Sequence, residues 1–162
     1  MSASDEEFLR LAIALAWQAR EMGDEPFGAV LVEDGMVIHQ SHNRIYELFD
    51  PTAHAELGLI SDYCRAQQRV SLEGCTLYAS TEPCPMCAGA IHWSRISRVV
   101  YSVSQAMKKE LSGGSGKMSC NLIINSGSRK VEIVGPLLPA EGLAVFEGYA
   151  FPRSGDKSAR AQ

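Results

Sequence analysis

The sequence has no long hydrophobic run and no excess of positive charge. No stretch of about 18 apolar residues occurs in its 162 residues, so we expect no membrane-spanning helix. Its 15 Lys and Arg side chains are outnumbered by 19 Asp and Glu. This balance argues against nucleic-acid binding, because phosphate contacts need clustered Lys and Arg side chains. The first seven residues are acidic rather than basic, so we also expect no signal peptide.

Cysteine occurs in an odd number, five, which does not suit a disulfide framework. Two of the five, Cys84 and Cys87, form a Cys-x-x-Cys pair, a spacing typical of metal or redox chemistry. Such sites are typical of a reducing compartment, where free thiols persist. We therefore expect a cytoplasmic protein whose paired cysteines form a functional site.

The chain length suits one domain with a sizeable core, which we expect over residues 1–152. Residues 153–162 are mostly polar and are expected to form a disordered tail. Strands that alternate with helices predict an α/β layered domain with helices on both faces of its sheet. Hydrophobic patterns and turn residues predict a helix from a cap at Ser4 or Asp5 to Gly23, strands over 27–33 and 36–42 around Asp34 and Gly35, a helix over 53–67, a strand over 75–80, a helix over 84–93, a strand over 98–103, a flexible break over 113–116, a strand over 131–134 and a helix over 139–146.

Three residues in the middle of the chain have the side chains that zinc prefers. They are His54, Cys84 and Cys87, and three protein ligands leave a fourth zinc position open for water. Pro85 suits the first position of a helix, so Cys84 should lie where the positive helix end favours a thiolate. Residues i and i+2 of a regular helix point to nearly opposite sides. His54 and Glu56 can therefore converge only at the very start of a helix.

Two other interpretations of the cysteine pair stay open from the residues alone. A structural zinc site needs a fourth ligand, and Cys64, Cys75 and Cys120 supply no second Cys-x-x-Cys. The Cys-Pro-x-Cys sequence is also similar to a glutaredoxin-type redox pair, although such pairs usually follow the first strand. A protein without zinc would favour the redox interpretation.

The order of these motifs, His-x-Glu followed by Pro-Cys-x-x-Cys, is the signature of zinc deaminases. The chain resembles the cytidine deaminase superfamily from Phe8 to Val103, and more weakly beyond. Within the superfamily it is similar to the branch of bacterial guanine deaminases and tRNA adenosine deaminases. The resemblance implies a three-layer α/β/α fold with a central mixed five-stranded sheet, and a homodimer. Its motifs are PFGAV at 26–30, Asn43, DPTAHAE at 50–56, EPCPMCAGAI at 82–91 and SRI at 94–96.

The resemblance implies hydrolytic deamination with one zinc ion as cofactor. His54, Cys84 and Cys87 are expected to hold the metal, and Glu56 is expected to shuttle protons from water to a ring nitrogen and then to the departing amine. Asn43 is the best candidate to read the polar edge of the ring, because an amide offers both a donor and an acceptor.

By similarity, the backbone N–H of Ala55 would assist Asn43 in binding the ring. Phe27, His92 and Trp93 are candidates to line the pocket and stack on a flat ring. For Phe27, packing in the core is an equally good interpretation.

The expected substrate is a small nucleobase-type molecule, namely a free aminopurine or a related ring of the guanine, azapurine or aminotriazine type. The acidic pI and the lack of a basic C-terminal helix make nucleic acid an unlikely partner. The alternatives are a tRNA adenosine deaminase, whose sequences are similar to SRISRVV at 94–100, and a cytosine or cytidine deaminase.

Two features in the C-terminal third of the chain affect the interpretation of the substrate. Guanine deaminases of this type carry a second acidic residue after the fourth strand, and residues 102–125 contain only Glu110 as an acid. Either Glu110 takes that role or the substrate differs. Residues 146–151, FEGYAF, are similar to the aromatic tail of the guanine deaminase group. In those enzymes the tail covers the active site and can come from the partner subunit. The alternative is a tail that packs on its own core.

Overall fold

The computed structural model describes residues 4–113 and 118–152. Their fold is a mixed five-stranded sheet flanked by helices, which confirms the predicted α/β class. In the described part of the chain, no helix is long and apolar enough to cross a membrane. The elements in chain order are α1 (Asp5–Glu21), β1 (Gly28–Glu33), β2 (Met36–His42), α2 (Ala55–Gln67), β3 (Thr76–Thr81), α3 (Pro85–Trp93), β4 (Arg98–Val103), α4 (Gln105–Ser112), α5 (Cys120–Ile124), β5 (Glu132–Val134) and α6 (Pro139–Ala144).

The strand order is β2-β1-β3-β4-β5, and it brings the site residues to one edge of the sheet. β3, β4 and β5 are parallel, so their carboxyl ends lie together. β1 is antiparallel to both β2 and β3, so β1 begins and β2 ends at this same edge. The helices α2, α3 and α4 follow β2, β3 and β4, and all three begin here.

Side chains alternate between two cores along the buried strands, as the period of two in a strand requires. On one face the sheet packs against α1, and on the other against α2 and α3. The α1 core contains Phe8, Leu9, Ala12, Val30, Val32, Tyr78 and Val100, and the opposite core contains Leu31, Leu59, Leu77, Ile91 and Val99.

Local sequence explains the first third of the chain well. Ser4 caps α1, and its side chain and that of Glu7 form a reciprocal capping box. Asp34 and Gly35 both have positive φ, at 50° and 74°, as the predicted tight hairpin requires. Gly28 allows α1 to lie close against β1, since a Cβ there would meet the Ala12 carbonyl oxygen at 2.2 Å.

The sequence patterns missed two helices, α4 and α5. α4 is short, and only Ala106, Met107 and Leu111 of its eight residues are apolar, too few to establish a helical period. α5 has five residues, too few to show a helical period. The expected break at 113–116 lies mostly, and the expected tail at 153–162 entirely, outside the described residues.

An ion pair between α1 and β4 should make stability depend on pH. Both oxygens of Asp5 accept hydrogen bonds from Arg98, at 2.7 and 2.8 Å, and Tyr78 donates to the same carboxylate. The Arg98 hydrogen bonds lower the pKa of Asp5. Because the folded pKa lies below the unfolded value of about 3.9, the contribution is present above that pH and is lost as the pH falls.

We expect Asp5→Asn to lower the free energy of unfolding at pH 7 by about 1–2 kcal/mol, allowing for the partial exposure of the pair. Urea unfolding at pH 7 and pH 3 should show that the difference from the wild type shrinks at the lower pH. The matched control is Glu6→Gln, whose exposed pair with Arg10 should contribute little. A difference that stays constant with pH would contradict the prediction.

Candidate metal centre and active site

The start of α2 places His54 and Glu56 on the same side. His54 is the N-cap, with extended backbone angles of φ −67° and ψ 156°, and the helix itself begins at Ala55. Because His54 is not helical, its side chain does not point away from that of Glu56 as it would two residues along a regular helix. His54 and Glu56 thus lie at the very start of a helix, where the sequence analysis required them to be if they are to converge.

The start of α3 places both cysteines beside the histidine. Cys84 is the N-cap, Pro85 occupies the first turn and Cys87 lies within it. The ligand atoms of His54, Cys84 and Cys87 all lie within 4.8 Å of one another. The His54 Nδ1 atom is 3.5 Å from the Cys84 Sγ atom. Two helix N-termini, each with a partial positive charge, thus meet at one cluster of zinc-type donors.

Cys84 differs from the other four cysteines in that its pKa is lowered and theirs are raised. A hydrogen bond from the Cys87 thiol and contact with His54 lower the pKa of Cys84 to about 3. Cys87 keeps its proton, because donating to the Cys84 thiolate and burial both raise its pKa. Burial instead raises the pKa of Cys75 to about 11 and that of Cys120 to about 12. A thiolate, a second thiol and an imidazole in contact form a donor set that fits zinc.

Glu56 is a buried acid at the entrance to this cluster, with 7% of its surface exposed. Burial raises the pKa of Glu56 to about 7, and the neighbouring Cys84 thiolate adds to the effect. The side chain lies in the first turn of α2 and lines a cavity together with His54 and Cys84. A carboxyl group held here can exchange protons with a molecule in that cavity.

The cavity has a volume of about 260 Å³ and opens at the carboxyl edge of the sheet. Phe27, at the start of β1, forms an apolar part of its wall. α4 contributes Gln105 and Lys108, and the Lys108 Nζ atom lies 5.2 Å from the centre of the Phe27 ring. The lining residues are Glu25, Phe27, Ile45, Pro51, His54, Glu56, Thr81, Glu82, Cys84, Gln105 and Lys108.

Residues 2–103 match the family model of the cytidine and deoxycytidylate deaminase zinc-binding region. The chain belongs to this family. It is therefore a deaminase, a zinc-dependent hydrolase, as the resemblance implied.

Relatives within the family carry names with different substrates. The chain is 38% identical to a probable cytosine deaminase from Schizosaccharomyces pombe over 158 residues, which cover 92% of this chain and 94% of the relative. It is 46% identical to a tRNA-specific adenosine deaminase from Aquifex aeolicus over 97 residues, which cover 60% of this chain and 64% of the relative. Its fold matches the crystal structure of a guanine deaminase from Bacillus subtilis with a TM-score of 0.65 and 32% identity, over 93% of this chain and 98% of that one. These matches fix the reaction class and leave the substrate open.

Asn43 and Ala55 are not among the residues that line the cavity, but each is a neighbour of residues that do. The Asn43 backbone N–H donates to the Phe27 carbonyl, and the Asn43 Nδ2 atom donates to buried Asp24 at 2.8 Å. Its Oδ1 atom is buried and accepts no hydrogen bond from the described residues. Asp24 thus fixes which end of the amide is left to accept a hydrogen bond. Ala55 opens α2, so its N–H is one of those without a partner inside the helix. Contact of either group with substrate stays a prediction.

The prediction that His92 and Trp93 line the pocket is wrong. Both lie in a separate surface groove with Arg95 and Arg129, and Trp93 is 82% exposed. The reason is distance along the helix. α3 begins at the metal ligands, and at 1.5 Å per residue Trp93 lies about 13 Å further along.

Glu110 is likewise not part of the cavity wall, which does not support its expected role as a second acid. Its side chain is exposed on α4, whose inward positions are Gln105 and Lys108. The acids that do line the cavity with Glu56 are Glu25 and Glu82, which the sequence reasoning missed. Glu82 stood two residues before Cys84, but nothing in its spacing showed that it faces the cavity.

The aromatic tail packs on its own chain over the described residues. The Phe146 ring centre lies 5.9 Å from that of Phe27, and Phe151 stacks on Phe146 at 5.5 Å. Arg20 of α1 donates to the Val145 carbonyl at 2.7 Å. The tail therefore packs on its own chain, against the Phe27 ring and α1, as the second interpretation expected. A tail that covers the active site of a partner subunit stays a prediction.

We expect purified protein to contain about one zinc per chain and to lose most of it in Cys84→Ser or Cys87→Ser, because a serine hydroxyl is a poor zinc ligand. Metal analysis by mass spectrometry measures this directly. The control is Cys64→Ser, which removes a half-buried thiol outside the cluster and should leave zinc unchanged. A zinc-free wild type that forms a Cys84–Cys87 disulfide would instead restore the redox interpretation.

Proposed function

We propose that this deaminase acts on a free aminopurine or a related ring of the guanine, azapurine or aminotriazine type, within one domain over residues 1–152. The observation that carries the proposal is the size of the cavity at the metal cluster. At about 260 Å³ it lies just below the range of about 300–1,000 Å³ typical of sites for larger small-molecule ligands. A free base, which is a flat ring without an attached ribose, fits such a volume.

The charge of the cavity supports a free base over a nucleic acid. Its wall carries three acids, Glu25, Glu56 and Glu82, against one cation, Lys108. The whole chain has a pI near 5.6. A phosphate backbone entering such a mouth would be repelled, because nucleic-acid sites depend on neutralising phosphates with Lys and Arg.

The residues divide the chemistry among them. His54, Cys84 and Cys87 would hold zinc, and zinc bound there supplies a hydroxide nucleophile at neutral pH. Glu56 would take a proton from water, deliver one to a ring nitrogen and later protonate the departing amine. The net change breaks the bond between the ring carbon and its exocyclic nitrogen, consumes one water and releases ammonia. Phe27 offers a flat apolar surface for the ring.

Cytosine is the second candidate, because the Schizosaccharomyces pombe relative named for it aligns along 94% of its own length. It is also a single small ring that the cavity could hold. A tRNA adenosine deaminase is the alternative of a different class, and the substrate test below separates all three.

We also propose a homodimer, supported by an exposed apolar face on α3 and α5. Met86, Gly89 and Trp93 lie on one side of α3 at intervals of three and four residues. A Cβ at Gly89 would meet no atom within 4 Å, and Leu122 of α5 is 62% exposed. Exposed apolar patches of this kind typically mark protein–protein contacts.

Trp93→Arg should convert the dimer to a monomer in analytical ultracentrifugation while zinc content stays unchanged. The reason is that it replaces the largest exposed apolar side chain of this face with a charged one. Phe49→Arg is the control, since Phe49 is 88% exposed on a loop elsewhere and should not alter the sedimentation coefficient. A monomeric wild type would contradict the homodimer.

The substrate proposal predicts ammonia release from free bases and none from a tRNA anticodon stem. The panel consists of guanine, an azapurine, an aminotriazine, adenine, cytosine, guanosine, cytidine and the tRNA stem. Glu56→Gln provides the matched control, because glutamine keeps the volume but cannot accept and release a proton. It should fold, keep its zinc and lose at least about 10²-fold in turnover.

Each outcome of the panel is informative. Turnover of the tRNA stem alone would replace the free-base proposal with RNA editing, and turnover of cytosine alone would favour the second candidate. Near-normal turnover by Glu56→Gln would show that Glu56 is not the proton shuttle. Loss of zinc in that variant would show that Glu56 supports the metal instead.

A further inference from the structure

Glu82 is a buried carboxylate at the end of β3, two residues before Cys84, with 5% of its surface exposed. Its Oε2 atom accepts a hydrogen bond from the Gln105 backbone N–H at 2.8 Å. Its Oε1 atom accepts from the Ser119 hydroxyl at 3.0 Å and from the Cys120 backbone N–H at 2.9 Å. One carboxylate therefore binds the first turns of both α4 and α5.

The main chain of Glu82 strengthens the attachment to α4. The Glu82 N–H donates to the Val103 carbonyl at 2.7 Å, which ties the end of β3 to the end of β4. The Gln105 side-chain amide donates to the Glu82 carbonyl at 2.5 Å. Backbone and side chain of Gln105 thus both bind Glu82, while Ser104 caps the helix.

α4 contributes no apolar side chain to the core. Gln105 is the only one of its eight residues that is buried, so no apolar side chain of α4 enters the core. A helix of this length is not stable by itself in water, and most helices depend on a packed apolar face. A carboxylate at the helix N-terminus is favourable both as an acceptor and through the helix dipole. The contacts with Glu82 are thus the buried polar attachment of the first turn of α4.

α4 is also a wall of the candidate active site, through Gln105 and Lys108. We propose that Glu82 is a positioning residue, whose buried carboxylate fixes α4 beside the metal cluster and so sets the substrate-binding wall. The same residue joins this wall to α5 through Ser119 and Cys120. This inference rests on the proposed use of the cavity for substrate. Glu82 acts on binding through α4 and does not take part in the proton transfers assigned to Glu56.

The test is Glu82→Gln, which keeps the size of the side chain. Its NH₂ group cannot accept a hydrogen bond, and its one oxygen satisfies two donors when it faces α5 but only one when it faces α4. We therefore expect α4 to lose its acceptor. We expect unchanged zinc content, a KM for the preferred base of the panel raised about tenfold or more, and a smaller change in kcat. Hydrogen–deuterium exchange of the backbone amides of 105–112 should become faster, because local opening of α4 becomes easier.

Glu110→Gln is the matched control, since it makes the same change at an exposed position of α4 and should leave KM and exchange unaltered. Unchanged KM or unchanged α4 exchange in Glu82→Gln would overturn the proposal, and so would loss of zinc. If Glu82→Gln does not fold, Glu82→Asp decides, because it keeps the charge but shortens the reach of the carboxylate to the Gln105 N–H. A raised KM with faster exchange supports the proposal, and wild-type values overturn it. Exchange and zinc are measured without substrate, so they remain informative even if the wild type deaminates nothing in the panel.

Discussion

The direction of the strands controls the site. β2, β3 and β4 all end at one edge of the sheet, and β1, which is antiparallel to β2 and β3, begins there. The helices that follow must begin at that edge, and their first turns carry unpaired N–H groups and partial positive charge. His54 and Cys84 occupy the N-cap positions of two of these helices. The partial positive charge of this edge stabilises the Cys84 thiolate and a carboxylate at Glu56, while His54 contacts that thiolate.

Each buried acid near the site has a different set of partners, and the partners indicate the role. Glu82 accepts three hydrogen bonds from protein donors, which suits a residue that holds other elements in place. Asp24 accepts from Asn43 and from the backbone of the loop that follows it, which suits the same kind of role. Glu56 lies against the thiols and the cavity, and burial raises its pKa. Among the three, Glu56 is the one whose surroundings favour exchange of a proton.

The two sides of the cavity are supported by different forces. Phe27 is supported by apolar packing, since Phe146 and Phe151 stack behind it and the tail docks on α1. The opposite wall, α4, is held by polar contacts at its first turn. Polar attachment is more sensitive to a single change, because one lost acceptor leaves a buried donor unsatisfied. The α4 wall is therefore where binding can be altered with least effect on the core.

The sequence by itself determined the fold class, the hairpin at Asp34 and Gly35, and the set of zinc-type ligands. These rest on local patterns, namely alternation of apolar residues, turn chemistry and the Cys-x-x-Cys spacing, which act over a few residues. Only the tertiary structure decided which side chains face the cavity. Trp93 and Glu110 were sensible candidates by position in the chain, yet the length of α3 and the orientation of α4 turn both away from it. The cavity is lined by Glu25, Glu82 and Lys108 because strands that are far apart in the sequence pair in the sheet, and because α4 lies at this edge without an apolar side chain in the core. No local sequence pattern shows either feature.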